Sequence, residues 1–74
     1  MMKEKVIIND EYIKLDSFLK FQGLVESGGF AKQVIKEGLC KVNGEVEYRR
    51  GKKLYPKDIV EFQNKEYVIG EKWT

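Results

Sequence analysis

The chain contains no histidine, one cysteine and one proline, and the apolar run near its start is only Val6-Ile7-Ile8. Each shortage removes a class of function. Without histidine, a general base near neutral pH requires a strongly shifted carboxylate or lysine, which argues against catalysis. A structural zinc site would need carboxylates in place of the usual nitrogen and sulfur ligands, so neither a metal nor another cofactor is expected. A lone Cys40 forms no intramolecular disulfide, and three aliphatic residues make neither a signal peptide nor a membrane span. The expectation is a soluble, cytoplasmic, monomeric protein. Its 74 residues form one domain, and a domain of this size removes only about 60% of its unfolded-state surface from water. A core that thin favours a binding module over an enzyme with a deep pocket.

What the sequence does have is unevenly placed charge. Residues 27 to 57 carry eight basic side chains against three acidic ones, whereas the rest of the chain carries six against nine. This polarity suits a protein that meets a polyanion. The sharpest concentration is Arg49-Arg50-Gly51-Lys52-Lys53, where like charges repel one another unless a partner neutralises them.

Local patterns give an outline of the fold. KVIIND and EYIKL read as short strands around an Asn9-Asp10 turn. From Leu15, apolar residues at 15, 18 and 19, continued by Val25, predict a first helix of two to three turns. Asp16 and Ser17 fall in its first turn, where either could also serve as the cap. Ser27 is the expected N-cap of a second helix and Gly38 its left-handed terminator. Between them Ala31, Val34 and Ile35 form an apolar face, and Lys32 and Lys36 a basic one. The period then changes to two, and Asn43-Gly44 predicts a type I′ hairpin with a return strand through Glu45 to Tyr48. RRGKK reads as a loop, and strands at Ile59 to Phe62 and Tyr67 to Ile69 follow, joined by a turn over residues 63 to 66. The expected class is α+β, with two short helices packed on a small, mostly antiparallel β-sheet.

In four stretches the chain resembles the RNA-binding domain named after the fourth small-subunit ribosomal protein, the alpha-L motif. They are Lys14-Leu15-Asp16-Ser17-Phe18-Leu19, Ser27 with Ala31-Lys32 and Ile35, Gly38 before a strand, and Val42-Asn43-Gly44. The resemblance covers residues 14 to 62, and SGGFAK followed by RRGKKLYPKD looks like the stand-alone YaaA/YbcJ-like branch. It departs from the family pattern at Lys14, where arginine is usual, and at Gly28-Gly29, where the family commonly has an arginine that contacts RNA. Lys57 also replaces a glycine common before aspartate. The resemblance implies non-catalytic binding of structured RNA, with ribosomal RNA or ribosome assembly as the setting.

The candidate contacts are Lys14, Ser27, Gly28, Gly29, Lys32, Lys36, Lys41, Arg49, Arg50, Lys52 and Lys53. Backbone amides at Gly28-Gly29 could admit a phosphate, with the Ser27 hydroxyl beside them, or the glycines could only ease a tight helix entry. Lys32 and Lys36 could hold phosphates or simply solvate a helix face. Arginines 49 and 50 rank first, because the planar guanidinium matches phosphate and can also stack on a base. Tyr48 and Tyr55 flank the basic loop and read as covers for a small core, with stacking on an unpaired base as the alternative. Cys40 reads as a small buried hydrophobe, and the sequence does not decide whether Trp73 is a lid over the sheet. The rival reading of the whole is a protein-interaction adaptor whose basic loop meets an acidic surface.

Overall fold

A computed structural model describes residues 2–71, so Trp73, whose role as a lid the sequence leaves open, lies outside the described residues. The elements run β1 (Met2–Ile8), β2 (Ile13–Lys14), α1 (Leu15–Phe21), α2 (Gly28–Lys36), β3 (Cys40–Val42), β4 (Glu45–Val46), β5 (Lys53–Leu54), β6 (Ile59–Phe62) and β7 (Lys65–Glu71). Five strands form one sheet in the order β1-β7-β6-β3-β4, and β2 pairs with β5 in a separate two-stranded ribbon. Among the described residues, only β1 against β7 is parallel and every other pair is antiparallel. The expected class and mostly antiparallel sheet therefore hold.

The start of the chain departs from expectation. KVIIND and EYIKL do not pair across Asn9-Asp10: the first lies along β7 and the second pairs only through Ile13 and Lys14, with β5. Residue alternation specifies a strand but not its partner, and here both partners lie more than 35 residues further along.

Both helices end the same way. In α1, Leu24 donates its N–H to the Leu19 carbonyl and Gly23 donates to Lys20; in α2, Leu39 donates to Val34 and Gly38 to Ile35. Gly23 and Gly38 have φ of 73° and 78°, the left-handed conformation of a Schellman terminator. Gly23 stops α1 at Phe21, so Val25 is buried after the helix and not on its stripe. Ser27 caps α2 as expected, its Oγ accepting from the Phe30 N–H at 3.1 Å.

Leu15, Phe18 and Leu19 of α1 and Ala31, Val34 and Ile35 of α2 are buried against Cys40, Val42, Val60, Phe62, Tyr67 and Ile69 of the sheet. Phe18 meets the Tyr67 ring edge-on, with centroids 5.6 Å apart, which fixes α1 over β7. Truncating so buried an aromatic typically costs about 3–5 kcal/mol.

Two hairpin turns have positive φ at both central residues. Asn43 and Gly44 sit at 52° and 86° between paired Val42 and Glu45, as a type I′ hairpin requires. Gln63 and Asn64 repeat this at 53° and 63°, so the last turn takes two residues and β7 starts at Lys65. The return strand is shorter than expected, ending at Val46.

Asn43 and Asp58 lock the region together. The Asn43 amide donates to Asp58 Oδ1 at 3.1 Å, its Oδ1 accepts from the Ile59 N–H, and Asp58 Oδ2 accepts from the Tyr55 N–H at 2.8 Å. Tyr55-Pro56-Lys57-Asp58 closes with an Asp58 N–H to Tyr55 carbonyl bond, and Lys57 has φ 82°. Proline second and a left-handed residue third is the type II turn pattern, which explains why glycine suits the place that Lys57 occupies.

Candidate nucleic-acid interface

The basic segment is held in place by its own backbone. Helix α1 has no side-chain cap, and its first amides are satisfied from a distance: Leu15 N–H donates to the Lys52 carbonyl at 2.9 Å and Asp16 N–H to the Arg50 carbonyl at 3.0 Å. Loop carbonyls thus occupy the positive end of the α1 dipole, while the loop side chains project outward. Lys53 is already in strand β5, opposite Lys14 of β2. The start of the same segment lies against the other helix. An added Cβ on Gly38 would meet the Tyr48 ring at 3.2 Å and the Val46 side chain at 3.5 Å. Residues 48 to 53 therefore run from the end of α2 to the beginning of α1.

This geometry divides the candidate residues. Lys14, Arg49, Arg50, Lys52 and Lys53 are gathered around the start of α1. Lys36 lies in the last turn of α2, and Lys32 one turn earlier on the same exposed face. Ser27, Gly28 and Gly29 stand at the opposite end of α2, about 12 Å from Lys36 along the helix at 1.5 Å per residue. Lys41 is separate: Cys40 and Val42 on either side of it are buried, so Lys41 points away from the core on the outer face of the sheet, opposite Glu61.

The charges are not equally available. Arg49 is bound at two points by Glu47, Nε to Oε2 at 2.9 Å and Nη2 to Oε1 at 3.1 Å, and its backbone N–H also donates to Oε2. This clasp holds the Glu47 carboxyl below the usual carboxylate range and raises the Arg49 guanidinium. Arg50 is looser, 3.9 Å from Asp16. Among the described residues, Lys14, Lys32, Lys36, Lys52 and Lys53 form no ion pair. Charge outside ion pairs is thus carried by lysine more than by arginine at this surface. Glu47 and Arg49 are two apart in extended chain and so share a side, but that spacing alone does not close the carboxylate on the guanidinium.

The tyrosines differ from expectation as well. Tyr48 is 66% exposed and Tyr55 43% exposed, so neither is a cover for the core. Tyr12 escaped notice in the sequence although it lies two before Lys14: its ring is 5.8 Å from that of Tyr55, and Lys53 Nζ sits 4.8 Å from its centroid. Cys40 is fully buried as expected, and burial pushes its thiol up to about 11. Among the described residues no cluster of histidine, cysteine or carboxylate groups could hold a metal ion, and no helix is long and apolar enough to cross a membrane.

The family profile described as "S4 domain" matches residues 6–70. The chain belongs to the S4 domain family. Among curated relatives of this S4 domain is RlbA of Bacillus subtilis strain 168, whose name marks it as a candidate ribosome maturation protein; it is 42% identical over 84% of this chain and 87% of its own. YbcJ of Escherichia coli K12, whose name marks it as a candidate RNA-binding protein, is 41% identical over 69% of this chain and 73% of its own. Among solved structures, the 30S ribosomal protein S4e from Thermoplasma acidophilum superposes with a TM-score of 0.67 at 21% identity, over 81% of this chain and 32% of that protein. That likeness establishes the S4 fold, with its two helices and mixed sheet.

Proposed function

We propose that this S4 domain binds structured RNA without catalysing a reaction, with ribosomal RNA or the maturing ribosome as its setting, in the cytoplasm and as a monomer. The reading rests on one observation: the segment bridging the two helix ends gathers Lys14, Arg50, Lys52 and Lys53, while α2 carries Lys36 and Lys32 away from it. The amides at Gly28 and Gly29 extend the surface at the far end of α2. Lys41 stays outside it. Family membership and the names of RlbA and YbcJ support the same reading. Contacts made mostly to phosphates suit duplex RNA, whose base edges lie in a deep, narrow groove.

Titration of a ribosomal RNA fragment at several salt concentrations tests this. Lys52→Ala and Lys53→Ala should each flatten the log–log salt dependence by roughly 0.7–0.9, whereas Lys41→Ala should leave it unchanged. Absence of binding by the wild-type domain at low salt would refute the proposal. A second reading, a protein adaptor, has a specific feature in its favour: Leu39, Val46 and Tyr48 are exposed, with Val46 and Tyr48 meeting at Gly38 next to Leu39 in the chain. It predicts that alanine at Leu39 abolishes partner binding while RNA affinity is absent throughout.

A further inference from the structure

The β2–β5 ribbon has two sides. Ile13 and Leu54 are paired and face the core, Leu54 fully buried. Alternation then puts Lys14 and Lys53 on the other side, and continuing the register by one residue places Tyr12 opposite Tyr55 on that same side. The side chains bear this out through the Tyr12–Tyr55 contact and the Lys53 ammonium over the Tyr12 ring. Two aromatic rings, Tyr12 half-buried and Tyr55 exposed, thus share one small face with two cations.

Beside it lies an open hollow of about 550 Å³ lined by Arg49, Gly51, Lys52, Lys53 and Tyr55. Among the described residues no carboxylate lines it. Tyr55 is held firmly, by Tyr12 at its ring, by the Asp58 carboxylate at its N–H and by Pro56 after it. Gly51 lines it as well, and an added Cβ there would meet nothing within 4 Å, so its backbone stands open to solvent. A fixed ring that remains 43% exposed next to two lysines without ion pairs combines the elements of nucleotide binding: a flat face for a base and point charges for its phosphate.

We propose that this hollow receives one unpaired nucleotide of the bound RNA, its base stacked on Tyr55 and its phosphate held by Lys52 and Lys53. The inference rests on the RNA-binding reading and narrows its substrate to a duplex interrupted by a bulge or flanked by a loop. Openness favours a nucleotide carried by a polymer over a free one, because small-ligand sites generally bury most of their ligand.

Two hairpin RNAs of equal length decide the matter, one fully paired and one with a single bulged 2-aminopurine. The wild-type domain should bind the bulged RNA roughly 5- to 150-fold more tightly, the range base–aromatic stacking supplies, and should quench the 2-aminopurine. Tyr55→Leu, which keeps an apolar side chain against Tyr12, should abolish both the preference and the quenching while its affinity for the paired RNA stays the same. Tyr55→Phe should retain both. Equal wild-type affinity for the two RNAs, or a preference that survives in Tyr55→Leu, would overturn the inference and leave general RNA binding intact. Displacement of the bulged RNA by micromolar adenosine monophosphate would overturn it in favour of a free-nucleotide site. Failure to bind either RNA would remove the parent reading with it.

Discussion

Asp58 offers the sharpest test of how the fold positions this surface, because one short side chain ties three segments together. Its carboxylate accepts from the Tyr55 N–H at 2.8 Å and from the Asn43 amide at 3.1 Å, and both bonds are lost in Asp58→Ala. A net contribution of about 1 kcal/mol for each bond gives a loss near 2 kcal/mol, which for a domain this small lowers Tm by about 8–16 °C. Asp58→Asn keeps one acceptor oxygen and should lose about half as much. Asn43→Ala removes the same shared bond together with the one from Ile59. The double variant should therefore fall about 1 kcal/mol short of the sum of the single losses, the signature of a shared interaction. Thermal unfolding followed by circular dichroism, with urea melts for the free energies, supplies all four corners. Additivity within about 0.3 kcal/mol, or a shift in Asp58→Ala of less than about 3 °C, would refute the assignment of Asp58 as the knot between hairpin, turn and β6.

Two further outcomes follow from the same structure. Lys57→Gly should raise Tm by about 2–4 °C, since relief of left-handed strain of about 1–2 kcal/mol exceeds the added entropy of the unfolded chain by roughly 0.5 kcal/mol; a lower Tm would show that the turn is not strained at Lys57. The buried thiol of Cys40 ionises only near pH 11 in the folded state, against about 9 when exposed, so its contribution is fully present below pH 9 and declines as pH rises from there to 11. By pH 10 the wild type should have lost about 1.4 kcal/mol relative to Cys40→Ala, and parallel pH profiles in urea melts would contradict this.

The features legible in the sequence are those whose causes lie within a few residues. Ser27 as cap, Gly38 as terminator and Asn43-Gly44 as hairpin turn each depend on local φ and local donors, and each is found where the pattern places it. Gly23 obeys the same rule, but the apolar stripe reaching to Val25 concealed it. What stayed hidden is long-range. Two-residue strands such as Ile13–Lys14 and Lys53–Leu54 have no periodicity to detect, so nothing local joins Tyr12 to Tyr55 or identifies Arg50 and Lys52 as the cap of α1. The basic character of the site was readable because charge is composition. Its division into a clasped arginine and unpaired lysines was not, because that depends on where Glu47 points.

Because α1 has only seven residues and borrows its cap from Arg50 and Lys52, it is too short to persist alone in water. A nascent chain that has emerged only as far as the Asn43-Gly44 hairpin lacks the carbonyls that would close the helix. Helix and cationic ledge must then mature in a single cooperative step, so a half-folded intermediate presents no coherent grip for a polyanion, and the grip appears only when the domain is whole.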